Sequence, residues 1–151
     1  MKMAVGGDTI CHLTDAVIGH LEGKGVVVER YGALDGKQAD YVDAAREVAE
    51  AIASGACEQG LLFCTTGTGV SIIANKVPGV RAALCLDVYS AKIARLANNA
   101  NVLVLSMRLT SEILAREIAD TWLETGPSIE PRRVNFHRKT DEIDRQYRRK
   151  C

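Results

Sequence analysis

Residues 63–71 of the chain run Phe-Cys-Thr-Thr-Gly-Thr-Gly-Val-Ser. An apolar run ends on a thiol, Cys64, and passes into hydroxyls and two glycines, Gly67 and Gly69, before the next apolar stretch. Glycines let successive backbone N–H groups turn into one concavity, and a helix that follows adds partial positive charge at its N-terminus. That suits the holding of an anion, either a phosphate or an oxyanion formed during reaction. The segment is not a Walker loop, since no Gly-Lys-Ser/Thr follows the glycines, and it lacks the GxGxxG dinucleotide fingerprint. Cys64, immediately before the concavity, is open to two readings. It is a small hydrophobe of the core, or a nucleophile or base whose thiolate is favoured by the local positive field. For the loop as a whole the competing function is plain phosphate or mononucleotide binding.

Such a loop must be positioned by a strand before it and a helix after it, and the whole chain alternates in this way. Apolar runs at 3–6, 26–30, 60–64, 80–84 and 101–105 predict strands. Stretches with helical apolar spacing predict helices at about 8–23, 41–54, 71–76, 89–97 and 110–124. Asp87 and Thr110 are the expected N-caps of the last two, and Gly55 ends the second. Residues 31–39 form a polar loop, the chain is irregular from 126 to about 134, and a charged helix then runs toward Arg149. Repeated strand–helix alternation implies an α/β fold, a three-layer, doubly wound, five-stranded parallel sheet (Rossmann-like) plus a C-terminal helix. Ligands of such sheets bind at the C-terminal ends of the strands, so the loops after strands one, three, four and five are expected to matter.

A chain of 151 residues fits a single domain spanning 1–151. Its 47% hydrophobic and 25% charged residues are ordinary for a globular protein and argue against disorder. No apolar run has the length of a membrane span, and the start lacks a signal-peptide pattern, so a cytoplasmic protein is expected. The five cysteines, Cys11, Cys57, Cys64, Cys85 and Cys151, follow no disulfide framework and form no CxxC pair. Free thiols are expected, and their spacing does not suggest zinc. Residues 131–151 carry eight Lys/Arg against three Asp/Glu. With only Phe136 and Tyr147 interleaved, this basic end does not suggest nucleic-acid binding. A solvated or subunit-bridging helix is the expectation.

The segment Cys64–Ser71 continues into Ile72-Ile73-Ala74-Asn75-Lys76-Val77-Pro78-Gly79-Val80-Arg81-Ala82. With Gly7-Asp8, Asp40-Tyr41-x-Asp43, Tyr89-Ser90-Ala91, Asn98, Asn101-Val102 and Arg108, it closely resembles the type B ribose-5-phosphate isomerases. These are grouped with the two galactose-6-phosphate isomerase subunits. The resemblance implies aldose–ketose isomerisation of a sugar phosphate without metal or cofactor. Cys64 would be the base that forms a cis-enediolate, with Thr66 close to the transferred proton. Backbone donors of Gly67, Thr68, Gly69 and Val70 would make the anion hole. Asp8 and Asn98 would bind substrate hydroxyls, and Arg108 and Arg133 the phosphate, typically from the adjacent subunit. Thr9 and Ser71 complete the expected substrate-binding set. A homodimer or homotetramer with shared active sites follows from the same resemblance.

The departures from that family are as informative. Thr9 and Ala97 stand where it usually has histidines, one of which opens the furanose ring, and Ile129 stands where it has the first of two phosphate arginines. His12 is expected one turn into the first helix, and His20 and His137 on the surface. Without the ring-opening histidine, the favoured substrate is one that needs no ring opening. A tetrose 4-phosphate qualifies, because its O4 is esterified. The stretch Asn98-Asn99-Ala100 is similar to relatives that isomerise erythrulose 4-phosphate. The alternatives are a ribose 5-phosphate/ribulose 5-phosphate isomerase, an isomerase that needs a second kind of subunit, and a non-catalytic sugar-phosphate-binding module.

Overall fold

A computed structural model describes residues 1–148; the expectations for Arg149 and for the thiol of Cys151 lie outside the described residues. The elements follow in the order β1 (Lys2–Gly7), α1 (His12–Gly23), β2 (Val27–Gly32), a 3-10 turn (Ala33–Asp35), α2 (Tyr41–Ala53), β3 (Gln59–Cys64) and α3 (Thr68–Ala74). They continue with β4 (Ala82–Leu84), α4 (Val88–Asn98), β5 (Val102–Ser106), α5 (Glu112–Glu124) and α6 (Pro131–Arg148). All strand pairings are parallel, in the order β2-β1-β3-β5-β4. The strand order therefore reverses between β1 and β3, the place where doubly wound sheets open a crevice for ligands.

Side chains alternate across a strand, and here they divide the core in two. Met3, Val5, Leu61, Phe63, Leu103 and Leu105 face a layer that includes Val17 and Leu21 of α1, Ala91 of α4, and Ile118 and Trp122 of α5. Ala4, Leu62, Cys64, Val102 and Val104 face the other layer, with Ala45, Val48 and Ala49 of α2 and Val70 and Ala74 of α3. Trp122 is fully buried, and its indole N–H donates to the Gln59 side chain at 2.6 Å, meeting the need of a buried polar edge. Among the described residues no helix is long and apolar enough to cross a membrane.

Several element ends differ from the sequence expectations. Helix α1 begins at His12, because the chain stays extended through Cys11 (φ −151°). This leaves Asp8 and Thr9 in the loop after β1. Helix α3 begins at Thr68 rather than 71, and β4 is confined to 82–84. The cap of α5 is Ser111, which accepts from the Leu114 N–H at 3.3 Å. Thr110 instead is buried, with no hydrogen-bond partner for its hydroxyl among the described residues. Helix α6 begins early, at Pro131, since proline needs no N–H partner in a first turn. Asp87 does cap α4, accepting from the Ser90 N–H at 2.6 Å, and Gly55 follows α2 at φ +77°.

Candidate active site

Cys64 ends β3 in register with Ser106 of β5. Beyond that pair the strands remain joined: the Met107 N–H donates to the Cys64 carbonyl at 2.8 Å, and the Arg108 N–H to that of Thr65 at 3.1 Å. The Ser106 hydroxyl also donates to the Thr65 carbonyl, at 2.8 Å. The thiol-bearing end of β3 is thus fixed before the loop begins. The loop turns at Gly67, whose φ of +89° is left-handed, and a Cβ there would clash with Cδ1 of Leu84. Backbone conformation and space both demand glycine. Helix α3 starts at once, so the N–H groups of Thr68, Gly69 and Val70 have no acceptor within their own helix and are available to an anion. The hydroxyls of Thr66 and Thr68 share a hydrogen bond of 2.9 Å at the exposed rim. The Ser71 hydroxyl does not point into this concavity; it donates back to the Gly67 carbonyl at 2.7 Å.

The end of β1 joins the same crevice. Gly6 pairs with Leu62, and continuing that register sets Asp8 level with Cys64. Gly7 packs on Phe63, where a Cβ would come within 3.2 Å of the carbonyl oxygen. The Thr9 hydroxyl donates to the Asp8 carboxylate at 3.2 Å. Arg108, exposed after β5, lies at this pole of its own chain. His12 is the first residue of α1, not one turn in, and its Nε2 lies 2.7 Å from Glu112 of α5.

Tyr41 belongs to this site and was given no role from the sequence. Asp40 caps α2 by accepting from the N–H groups of Val42 and Asp43, both at 2.9 Å. That sets Tyr41 as the first helical residue, with its ring against Gly69. The available signal was the Asp40-Tyr41 pair, a cap followed by an aromatic that the helix period leaves outside the core.

The structure does not bring Asn98 and Arg133 to Cys64. The Gly60 N–H donates to the Asn101 carbonyl at 2.8 Å, so the end of α4 lies level with the start of β3. The span from Gly60 to Cys64, roughly 13 Å at about 3.3 Å per residue, separates the two poles. Helix α6 is fastened to the far pole. The Ser128 N–H donates to the Leu96 carbonyl, Nε2 of His137 lies 2.8 Å from the Ala97 carbonyl, and Asp141 and Asp144 hold Arg81 and the Gly79 N–H. Arg133 stands in the first turn of that helix with its Nε 3.4 Å from Glu130. His137 is therefore half-buried rather than on the surface. The same correction applies to His20, whose Nε2 lies 2.6 Å from Asp120 of α5. Each imidazole found a partner on another helix, which helical spacing alone does not reveal.

Cys57, Cys64 and Cys85 are all buried. Burial pushes Cys85 up to about 11 and raises Cys57 as well, the nearby Glu29 carboxylate adding to the latter effect. Cys11 is half-exposed, its sulfur 3.7 Å from that of Met107. Among the described residues no three His, Cys, Asp or Glu side chains gather as metal ligands.

Comparison with known proteins bears on this geometry directly. A family model described as Ribose/Galactose Isomerase matches residues 3–140. The chain is 40% identical over 126 residues to D-erythrulose-4-phosphate isomerase of Pectobacterium atrosepticum, covering 82% of this chain and 83% of that one. It is also 40% identical over 123 residues to ribose-5-phosphate isomerase B of Escherichia coli, covering 81% and 83%. Among solved structures, ribose-5-phosphate isomerase B of Clostridium thermocellum superposes with a TM-score of 0.90 at 38% identity, over 97% of this chain and 99% of that one. With a family match across nearly its whole length and the same parallel sheet, the chain belongs to the ribose/galactose isomerase family and is itself an isomerase.

Proposed function

We propose that this protein interconverts a small aldose phosphate and its ketose by proton transfer through a cis-enediolate, with Cys64 as the base. The observation that carries the reading is the thiol of Cys64 at the switch-point end of β3, directly before the backbone donors of residues 67–70. Cys64 takes the proton from the carbon beside the carbonyl, and the electron pair moves into the enediolate. The same thiol returns the proton to the neighbouring carbon while the hydroxyl proton passes from one enediolate oxygen to the other, with Thr66 beside the path. The barrier lies in the charge that develops on the enediolate oxygens. Donors fixed by Gly67 and by the start of α3 stabilise that charge without reorganising. The step as proposed uses only side chains and backbone of the chain.

The favoured substrate is a tetrose or tetrulose 4-phosphate. Thr9 and Ala97 bring no imidazole to the two positions where the resemblance expects histidines, one of them the ring opener, and a sugar esterified at O4 forms no furanose. The relatives fall on both sides at equal identity, one named for erythrulose 4-phosphate and one for ribose 5-phosphate, so ribose 5-phosphate/ribulose 5-phosphate is the second reading. Assembly belongs to the same proposal. Asp8, Thr66 and Arg108 lie at the pole of Cys64, whereas Asn98 and Arg133 lie at the other. A single small substrate meets both sets only where two copies of the chain pack pole against pole. The proposed working unit is a homodimer or homotetramer with shared sites, in the cytoplasm, where thiols stay reduced.

The test is turnover by the purified chain of a panel of four-, five- and six-carbon sugar phosphates in deuterated water. The expected result is fastest conversion of erythrulose 4-phosphate, with solvent deuterium entering the substrate carbon and both signals lost in Cys64→Ala. Loss of one catalytic acid–base group costs about 10²- to 10⁴-fold. Faster turnover of ribose 5-phosphate would shift the reading to the pentose. Binding without deuterium exchange would replace the isomerisation with simple sugar-phosphate binding.

A further inference from the structure

A cavity of about 680 Å³ at the far pole is lined by Asn98, Ala97, Arg81, His137 and Thr140 among others. Most of its polar groups are already engaged. The Thr140 hydroxyl donates to the Phe136 carbonyl at 3.0 Å. Arg81 donates to the Asn99 carbonyl at 2.6 Å and pairs with Asp141 at 3.3 Å. His137 is only half engaged. Its Nε2 meets the Ala97 carbonyl at 2.8 Å; a carbonyl only accepts, so Nε2 carries the proton. Nδ1 has no hydrogen-bond partner among the described residues.

Arg133 lies four residues before His137 on α6, on the same helical face. Both ends of this segment are tied to the last turn of α4, by Ser128 on Leu96 and by His137 on Ala97. No cation stands one turn before Arg133: Ile129 occupies that position outside the helix, 94% exposed. We infer that the phosphate of the substrate is held by a pair one turn along α6, Arg133 with His137. In the protonated ring Nε2–H stays on the Ala97 carbonyl while Nδ1–H donates to a phosphate oxygen. Arg133 supplies the planar guanidinium that phosphate recognition favours. This rests on the isomerase reading above and assigns its phosphate site a residue type, imidazole, that the sequence had placed on the surface.

The test compares wild-type protein with His137→Gln and His137→Leu. Glutamine retains an N–H for the Ala97 carbonyl but brings no cation, whereas leucine loses both. Two quantities are read: KM against kcat for the best sugar phosphate of the panel, and the affinity for inorganic phosphate by calorimetry. Both variants are expected to raise KM and weaken phosphate about tenfold, as loss of a hydrogen bond to a charged group does, with kcat near wild type. If glutamine restores wild-type KM and phosphate affinity, His137 is only a helix fastener and the inference is overturned. Unchanged values in both variants overturn it equally. A wild-type protein that turns over no sugar phosphate removes the isomerase reading instead, and the calorimetric comparison still decides the role of His137.

Discussion

The ring of Tyr41 rests on Gly69 so closely that a Cβ at position 69 would stand 2.9 Å from Cε2. The contact joins the first residue of α2 to the first turn of α3, at the mouth of the backbone nest. Because Tyr41 is partly exposed, its ring has room to swing away rather than strain the fold. Gly69→Ala is therefore expected to leave the unfolding midpoint nearly unchanged and to lower kcat/KM about tenfold or more, the scale of a misplaced site. Tyr41→Ala in that background should add little further loss, since the two changes break one contact. Additive losses in steady-state kinetics would show that Tyr41 acts apart from Gly69.

Gly67 is a harsher test, because it combines a left-handed φ of +89° with Leu84 against its missing Cβ. Gly67→Ala should cost about 2–4 kcal/mol, a left-handed alanine and an overpacked contact together. Urea unfolding measures the cost. Adding Leu84→Ala should recover only the packing part and leave the backbone part. Full recovery would place the whole effect in the side-chain clash.

The buried thiols should resist alkylation in proportion to their burial. Only the thiolate attacks, and burial raises Cys85 to about 11, so at about pH 8 that residue is almost wholly protonated. Its labelling by iodoacetamide should be slow at that pH and should increase as pH rises toward 11, since a raised thiol yields its thiolate only there. Cys57, raised by burial and by Glu29, should share the protection. Peptide mapping by mass spectrometry reads this out, and early labelling of Cys85 in the folded protein would contradict it.

Division of the proposed site between two poles predicts complementation between copies. Cys64→Ala disables the nest pole, and Arg133→Ala disables the α6 pole. Each alone should be nearly inactive, yet a mixture refolded together should regain activity, because some mixed assemblies carry one intact composite site. Failure to regain activity, with mixed assemblies verified by mass, would mean that each site is built within one chain.

The alternation of strands and helices was legible because each helix buries one face and reads with a period of 3.6, whereas the central parallel strands are buried on both faces and read as continuous apolar runs. Element ends were legible only where a single residue decided them. Asp87 caps α4 as expected, but Thr110 and Ser111 both carry hydroxyls, and only packing shows that Ser111 reaches the helix while Thr110 is buried. The early start of α3 was hidden by glycines at 67 and 69, which weaken the helical pattern although Gly67 in its left-handed turn starts the helix.

The loop after β3 is a local object. Its thiol, its glycines and the helix that follows are consecutive in the chain, so residues 63–71 alone carried the expectation of an anion-holding nest with Cys64 at its edge. Where the other expected site residues stand depended on long-range pairing. The register of β1 on β3 sets Asp8 beside Cys64, and the packing of α2 on α3 lays Tyr41 over Gly69. The parallel course of β5 carries Asn98 to the opposite end of the sheet, where His137 of α6 meets the carbonyl of Ala97. A parallel strand must begin at one pole and end at the other, so residues before β5 and after β3 are parted by the length of a strand. Only the tertiary structure decides which residues that separation divides.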